Sequence, residues 1–276
     1  MATLHDAPIN DPGVLPPVES AGLTAFIDRW IYVFTAGLIF VVVLVGFIPD
    51  SMRMLNEIDA GRAAPIPPIL HVHAVLMGAW ITLLLSQATL MATGRRDLHM
   101  RFGVAAFVLA PAILIAGFLL VPTRRGQLVD MIAAAPPEIA LRLQTEVVPF
   151  VNNIMLVQIR AGIVFAILAA LALYFRRRDS GTHKRLMFLA TIVPLPAAID
   201  RMTFLPHSMP ASPLTIELYP LLVIAPLFAW DWFRLGRIHR AYVIWFAVMA
   251  PLIVAVAWLW NTPGWQEAAG RIGGLG

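Results

Sequence analysis

The chain has no cysteine among its 276 residues. That excludes disulfides, thiolate catalysis, Cys-bound zinc and iron–sulfur clusters. Lysine is nearly absent: Lys184 is the single lysine among 20 basic residues. With the heavy use of alanine, this is the pattern of a GC-rich bacterial genome. Charge is scarce too. Only 13% of residues are charged and 59% are hydrophobic, against about a quarter and about half in soluble domains. With a mean hydropathy of +0.79, this excludes a water-soluble globule, a disordered chain and a nucleic-acid binder. Also missing are a G-x-G-x-x-G after a strand, a P-loop, a G-x-S-x-G and an H-E-x-x-H. Residues 1–24 form a polar, acidic, Pro-containing tail without the basic start and short apolar core of a signal peptide.

What is present is a series of long apolar runs. A spanning helix needs about 20 mostly apolar residues. Seven segments qualify: 29–49, 69–93, 102–122, 150–175, 184–206, 214–234 and 240–261. They are too long and continuous for a membrane barrel. The expected class is therefore all-α, a polytopic bundle of seven transmembrane helices over 25–265, with a C-terminal tail at 266–276. Twelve basic residues fall on the N-terminal side of the bundle and seven on the other, with Arg160 inside a span. This bias predicts the N-terminus inside and the C-terminus outside, in the inner (cytoplasmic) membrane of a bacterium. The stretch 138–148 reads as an amphipathic helix on the outer surface. Trp230, Trp232, Trp258, Trp260 and Trp265 sit near span ends, as interfacial anchors do.

Six of the seven histidines lie near span ends: His71, His73 and His207 outside, His99, His183 and His239 inside. His5 is in the tail. A two-sided distribution suits one redox cofactor near each face, because neutral imidazole is a good axial ligand for haem iron. The bland alternative is that a His beside Arg at a helix end meets headgroups and loop carbonyls. In the pair His71 and His73, positions i and i+2 point about 200° apart, so one faces inward. His73 is that candidate, since His73, Met77, Trp80, Leu84 and Gln87 share one face. Ordinary packing explains Met77 and Leu84 equally well. His99, His183 and His239 each precede a proline by 11 or 12 residues, which suggests three similar helical hairpins.

The spans also hold polar groups, and the charged ones among them cost several kcal/mol unless paired. Asn152, Asn153, Arg160, Asp200, Arg201 and Glu217 stand out. Arg160 with Asp200 is the expected pair, either structural or serving a propionate or anion together with Arg201. Asp231 is expected to pair with Arg234 or Arg178.

His73-Ala-Val-Leu-Met-Gly-Ala-Trp80 resembles the H-G-x-L-M…W opening of the cytochrome b561 family. Gln87, Gly94-Arg95 and His99-Met-Arg-Phe-Gly103 resemble the H-R-x-x-G step of related bacterial families. Extended to the H-K-R-L-M at His183, the pattern resembles a group of uncharacterised bacterial multi-pass proteins. Ala74 stands in place of Gly, and Trp80 is one residue closer to the histidine than in the cytochromes. Those proteins have about six spans with ligands well inside four central helices, whereas His99 and His183 fall at span ends. The cytochrome resemblance covers about 30 residues and implies His73, His99 and His183 or His207 as haem b ligands.

Three functions follow as expectations. The first is a b-type haem protein passing electrons to or from a partner protein or quinone within the lipid bilayer. The second is a membrane enzyme with zinc or iron held by His71, His73, Asp200, His207 and Glu217. The third is a cofactor-free transporter, or an assembly or scaffold protein, in which Pro194, Pro196 and Pro226 make the broken helices that carriers use.

Overall fold

The computed structural model describes residues 18–272. His5 and most of the predicted N-terminal tail lie outside the described residues. The described part is helical, with no strand. Helix α1 spans Val18–Asp59 and α2 Pro68–Ala92. Helix α3, Arg96–Phe102, runs through a 3-10 turn into α4, Ala106–Ala134. Helix α5, Pro137–Arg142, runs through a π turn at Leu143–Val147 into α6, Val148–Phe175. Then come α7 Ser180–Thr191, α8 Pro196–Ile199, α9 Leu214–Leu235, α10 Arg240–Leu259 and α11 Pro263–Ile272.

Among the described residues, six helical stretches are long and apolar enough to cross a membrane. The distribution of side chains agrees with that solvent. Val108, Phe118, Phe246 and Trp258 are more than 60% exposed, while Arg125, Arg160, Arg185 and Asp231 are buried. Such an inside-out pattern is costly in water and favourable in lipid. The chain is a polytopic helical membrane protein.

Six of the seven expected spans are continuous helices of spanning length among the described residues, and the seventh is discontinuous. The expected span 184–206 is not one helix. Its first part is α7, 12 residues and about 18 Å long. Residues 192–195 are a turn, and α8 follows with four residues. The reason is chemical. Pro194 and Pro196 have no N–H to give to the carbonyls of Ala190 and Ile192. Those carbonyls instead accept from Val193 N at 3.3 Å and Leu195 N at 3.1 Å. The helix thus tightens to i→i−3 bonds and stops. Pro226 makes no such break: α9 runs through both Pro220 and Pro226.

This broken segment is the centre of the bundle. α7 packs against α2, α6 and α10, and α8 packs against α1 and α9. At its middle, Trp80 of α2 donates Nε1–H to Thr191 Oγ1 over 3.0 Å, with both side chains buried. Further out, α1 and α8 touch backbone to backbone at Gly46. A Cβ there would lie 2.1 Å from Ala198 O.

Two boundaries also move. The 138–148 segment is helical, as expected, but it is continuous with α6 through the π turn. Helix α11 crosses the expected tail boundary at 265/266. Its Trp265 donates to Asn152 O, so it is packed onto α6. The three histidine-proline stretches do not form three alike hairpins. His99 lies within α3, His183 in the first turn of α7, and His239 is the N-cap of α10.

Candidate functional site

Polar side chains collect at three levels. The first is the end where α2 finishes and α3 and α7 begin. His183 donates its Nδ1–H to Ala172 O, 2.8 Å away. That bond fixes the tautomer and leaves the Nε2 lone pair for another partner. His99 lies close enough to His183 for their charges to interact. His99 Nδ1 is buried with no partner in the chain. The Gln87 amide is also buried with neither its oxygen nor its nitrogen paired. Gly103 keeps that spot open, since a Cβ there would sit 3.4 Å from Gln87 Oε1. A buried polar atom without a partner costs about 1–3 kcal/mol, and several here lie side by side.

His73 is the counterpart at the opposite end of α2. It lies fourteen residues before Gln87, about 21 Å away along the helix. It therefore cannot share a ligand with His99. Its ring faces Gly117 of α4, where a Cβ would be 3.8 Å from His73 Cε1, and its buried Nδ1 has no partner. His71 points out to the exterior, as the i, i+2 spacing predicts.

The second level is the break itself. Arg160 pairs with Glu217, not with Asp200 as expected. Glu217 lies on α9, where it faces α6. Asp200 caps α8, and its Oδ1 is 3.8 Å from His207 Nδ1. The other expected anion ligand, Arg201, turns to Asp50 of α1 at 2.9 Å and stacks over Phe47. A cavity of about 20 Å³ adjoins Arg160 and Glu217, walled by Val193, Pro196, Trp245 and Met249 among others. Arg160 Nε, Glu217 Oε2 and Trp245 Nε1 are all buried without a partner. The volume suits one water, for which roughly 10–15 Å³ is needed.

The third level is ionic and lies near the histidine pair. Arg185 grips Asp231 with two bonds of 2.7 and 2.5 Å, and Tyr242 donates to the same carboxylate at 2.6 Å. Asp231 thus takes neither Arg234 nor Arg178. Arg234 pairs with Asp28 instead. Asp179 caps α7 through Thr182 and pairs with Arg240. Burial alone would raise its carboxyl, but the Thr182 bonds and the Arg240 charge overcome that and hold it at about 2. Burial, helped by the Arg185 charge, pushes the neighbouring His239 down to about 4.

Sequence reasoning missed the partners that come from afar. Arg125 is buried and donates to Asn152 Oδ1 at 2.6 Å, while Gln266 of α11 accepts from Asn152 Nδ2 at 2.7 Å. Nothing in a hydropathy profile marks Arg125, which reads as a loop arginine. The five residues named for zinc or iron are not drawn together. Among the described residues no group of three or more His, Asp or Glu side chains could hold a metal ion. Comparison with family models, with curated proteins and with solved structures gives no match to this chain.

Proposed function

We propose that the chain is a b-type haem protein of the bacterial inner membrane, with haem near the end of the bundle where α3 and α7 begin. The observation that carries this reading is that His99 and His183 lie within electrostatic reach of each other at one end of the bundle. They come from helices that are not neighbours in sequence, and each has chemistry suited to ligation. His183 keeps Nε2 free through its bond to Ala172, and His99 has a buried, unpartnered Nδ1. Haem held by two imidazoles supplies one-electron transfer without an open coordination site. Gln87 and Gly103 would lie beside the ring pair, and the charges of Arg96 and Arg176 reach the two histidines.

His73 is the one outer imidazole with an unpartnered buried nitrogen. His207 is engaged by Met202 O at 3.2 Å and by Asp200, so the reading favours one haem over two. Arg160 and Arg201 are held elsewhere and are left out of the haem site. Electrons would pass to a partner protein or a quinone at the same face. The test is the reduced-minus-oxidised visible spectrum of the protein purified from haem-supplied cells. A Soret band with a sharp reduced α-band is expected. Its absence overturns the reading.

A second reading, a carrier without cofactor, draws on the helix break beside Arg160 and Glu217. Discontinuous helices with charged groups at mid-membrane are how carriers build substrate sites. It is favoured if His99→Ala and His183→Ala leave a haem-free protein with unaltered stability.

A further inference from the structure

A groove of about 470 Å³ lies at the end of α6, between α6 and α4. Its floor is apolar: Phe107 of α4, and Ala170, Leu173 and Tyr174 of α6. Its rim is Arg176, Arg177 and Arg178, three successive cations. None of the three has a carboxylate partner among the described residues. Two are held in place by the floor. Arg176 lies 4.4 Å above the Phe107 ring, and Arg178 lies 4.0 Å above the Tyr174 ring and donates to Tyr174 O. Cation–π contacts of this kind order a guanidinium without neutralising it.

Below the rim, α6 presents a matching track. Ile163, Ile167, Ala170 and Tyr174 recur at helical spacing on one face, and Ile163, Ile167 and Tyr174 are 44, 40 and 54% exposed. A chain of methylenes laid along this track would meet apolar surface throughout. An anion at its head would meet three uncompensated arginines. The combination selects an amphiphile with an anionic head, since basic pockets between spanning helices at a membrane face bind acidic headgroups.

We propose that this groove is a binding site for an anionic phospholipid, its phosphate held by Arg176, Arg177 and Arg178 and one acyl chain laid along α6. Arg176 also lies within charge reach of His183, but occupancy of the groove is read by mass and not by absorbance, so its failure and that of the haem reading are distinguishable.

The test uses the full-length protein in mild detergent, with native mass spectrometry after addition of phosphatidylglycerol or phosphatidylcholine. Phosphatidylglycerol is expected to be retained and phosphatidylcholine lost. The triple variant R176Q/R177Q/R178Q is expected to weaken phosphatidylglycerol binding on the order of a hundredfold. The triple variant R53Q/R62Q/R142Q, which removes the same charge at the opposite end of the bundle, is expected to bind as wild type does. Ala170→Trp fills the groove with all three arginines intact and is expected to abolish retention, which a purely surface-charge effect would not do. Equal retention of both lipids overturns the proposal. So does equal loss in the two triple variants, undiminished binding in Ala170→Trp, or displacement of the lipid by equimolar inorganic phosphate. Unfolding midpoints measured in phosphatidylcholine verify that each variant is folded.

Discussion

The charged side chains inside this bundle differ in what holds them. Arg185 and Asp231 are each under a tenth exposed, yet nearly every polar atom is used, with Tyr242 and the Gly181 carbonyl completing the set. Removing one partner of such a pair strands the other charge in a medium that cannot solvate it. Asp231→Asn is therefore expected to lower stability by about 3–5 kcal/mol. The double variant Arg185→Met with Asp231→Leu is expected to cost much less, because no buried charge remains. Thermal unfolding in one detergent compares the two, and a double variant worse than the single would contradict the argument. This pairing was not legible in the sequence. A local partner for Asp231 is the natural reading, and the true one is 46 residues away. Arg160 shows the same limit. Asp200 is the partner the sequence suggests, but the structure turns it towards His207 and gives Arg160 to Glu217.

At the scale of elements, the broken α7–α8 segment depends on two close fits. Gly46 lets α1 meet the backbone of α8, and no flexible side chain is there to yield to a larger residue. Gly46→Ala is expected to cost about 1–3 kcal/mol or more, seen as a lowered unfolding midpoint. An unchanged midpoint would show that the contact is not tight. The other element prediction concerns the start of α10. His239 caps it, accepting from Ala241 N at 3.2 Å. Its folded-state pKa, about 4, lies below the unfolded value of 6.5. The unfolded chain therefore binds the proton first. Stability is fully present above about pH 6.5 and declines as pH falls towards 4. Asp179, held at about 2 against an ordinary 3.8, adds a further loss below about pH 4. His239→Asn keeps a capping acceptor and is expected to flatten the upper part of that decline, measured as unfolding midpoint against pH. A decline that persists unchanged in the variant would assign it to other groups. The break itself was half legible. Pro194 and Pro196 announce it, but Pro220, Pro226 and Pro251 lie in unbroken helices. What separates them is a pair of prolines two apart, which removes two ladder bonds from one turn.

At the scale of the whole molecule, six of the seven expected spans were legible because lipid demands a property that hydropathy measures directly. Each matches a helix to within the extensions added by polar ends. The arrangement of those helices was not legible. That α7 and α8 form the hub, and that His99 and His183 come to the same end while His73 stands apart, are matters of packing that a one-dimensional profile does not hold. The arginine bias predicts an orientation of the bundle. The absence of native cysteine makes it easy to examine. In intact cells Ser212→Cys is expected to react with a membrane-impermeant maleimide and Arg177→Cys is expected not to; the reverse pattern would invert the bundle. The central claim concerns two imidazoles on one iron. Electron paramagnetic resonance of the oxidised, purified protein tests it most directly. The account predicts a low-spin ferric signal that His183→Ala or His99→Ala converts to high-spin or removes. The absence of any haem signal, or a low-spin signal that survives both substitutions, would contradict it.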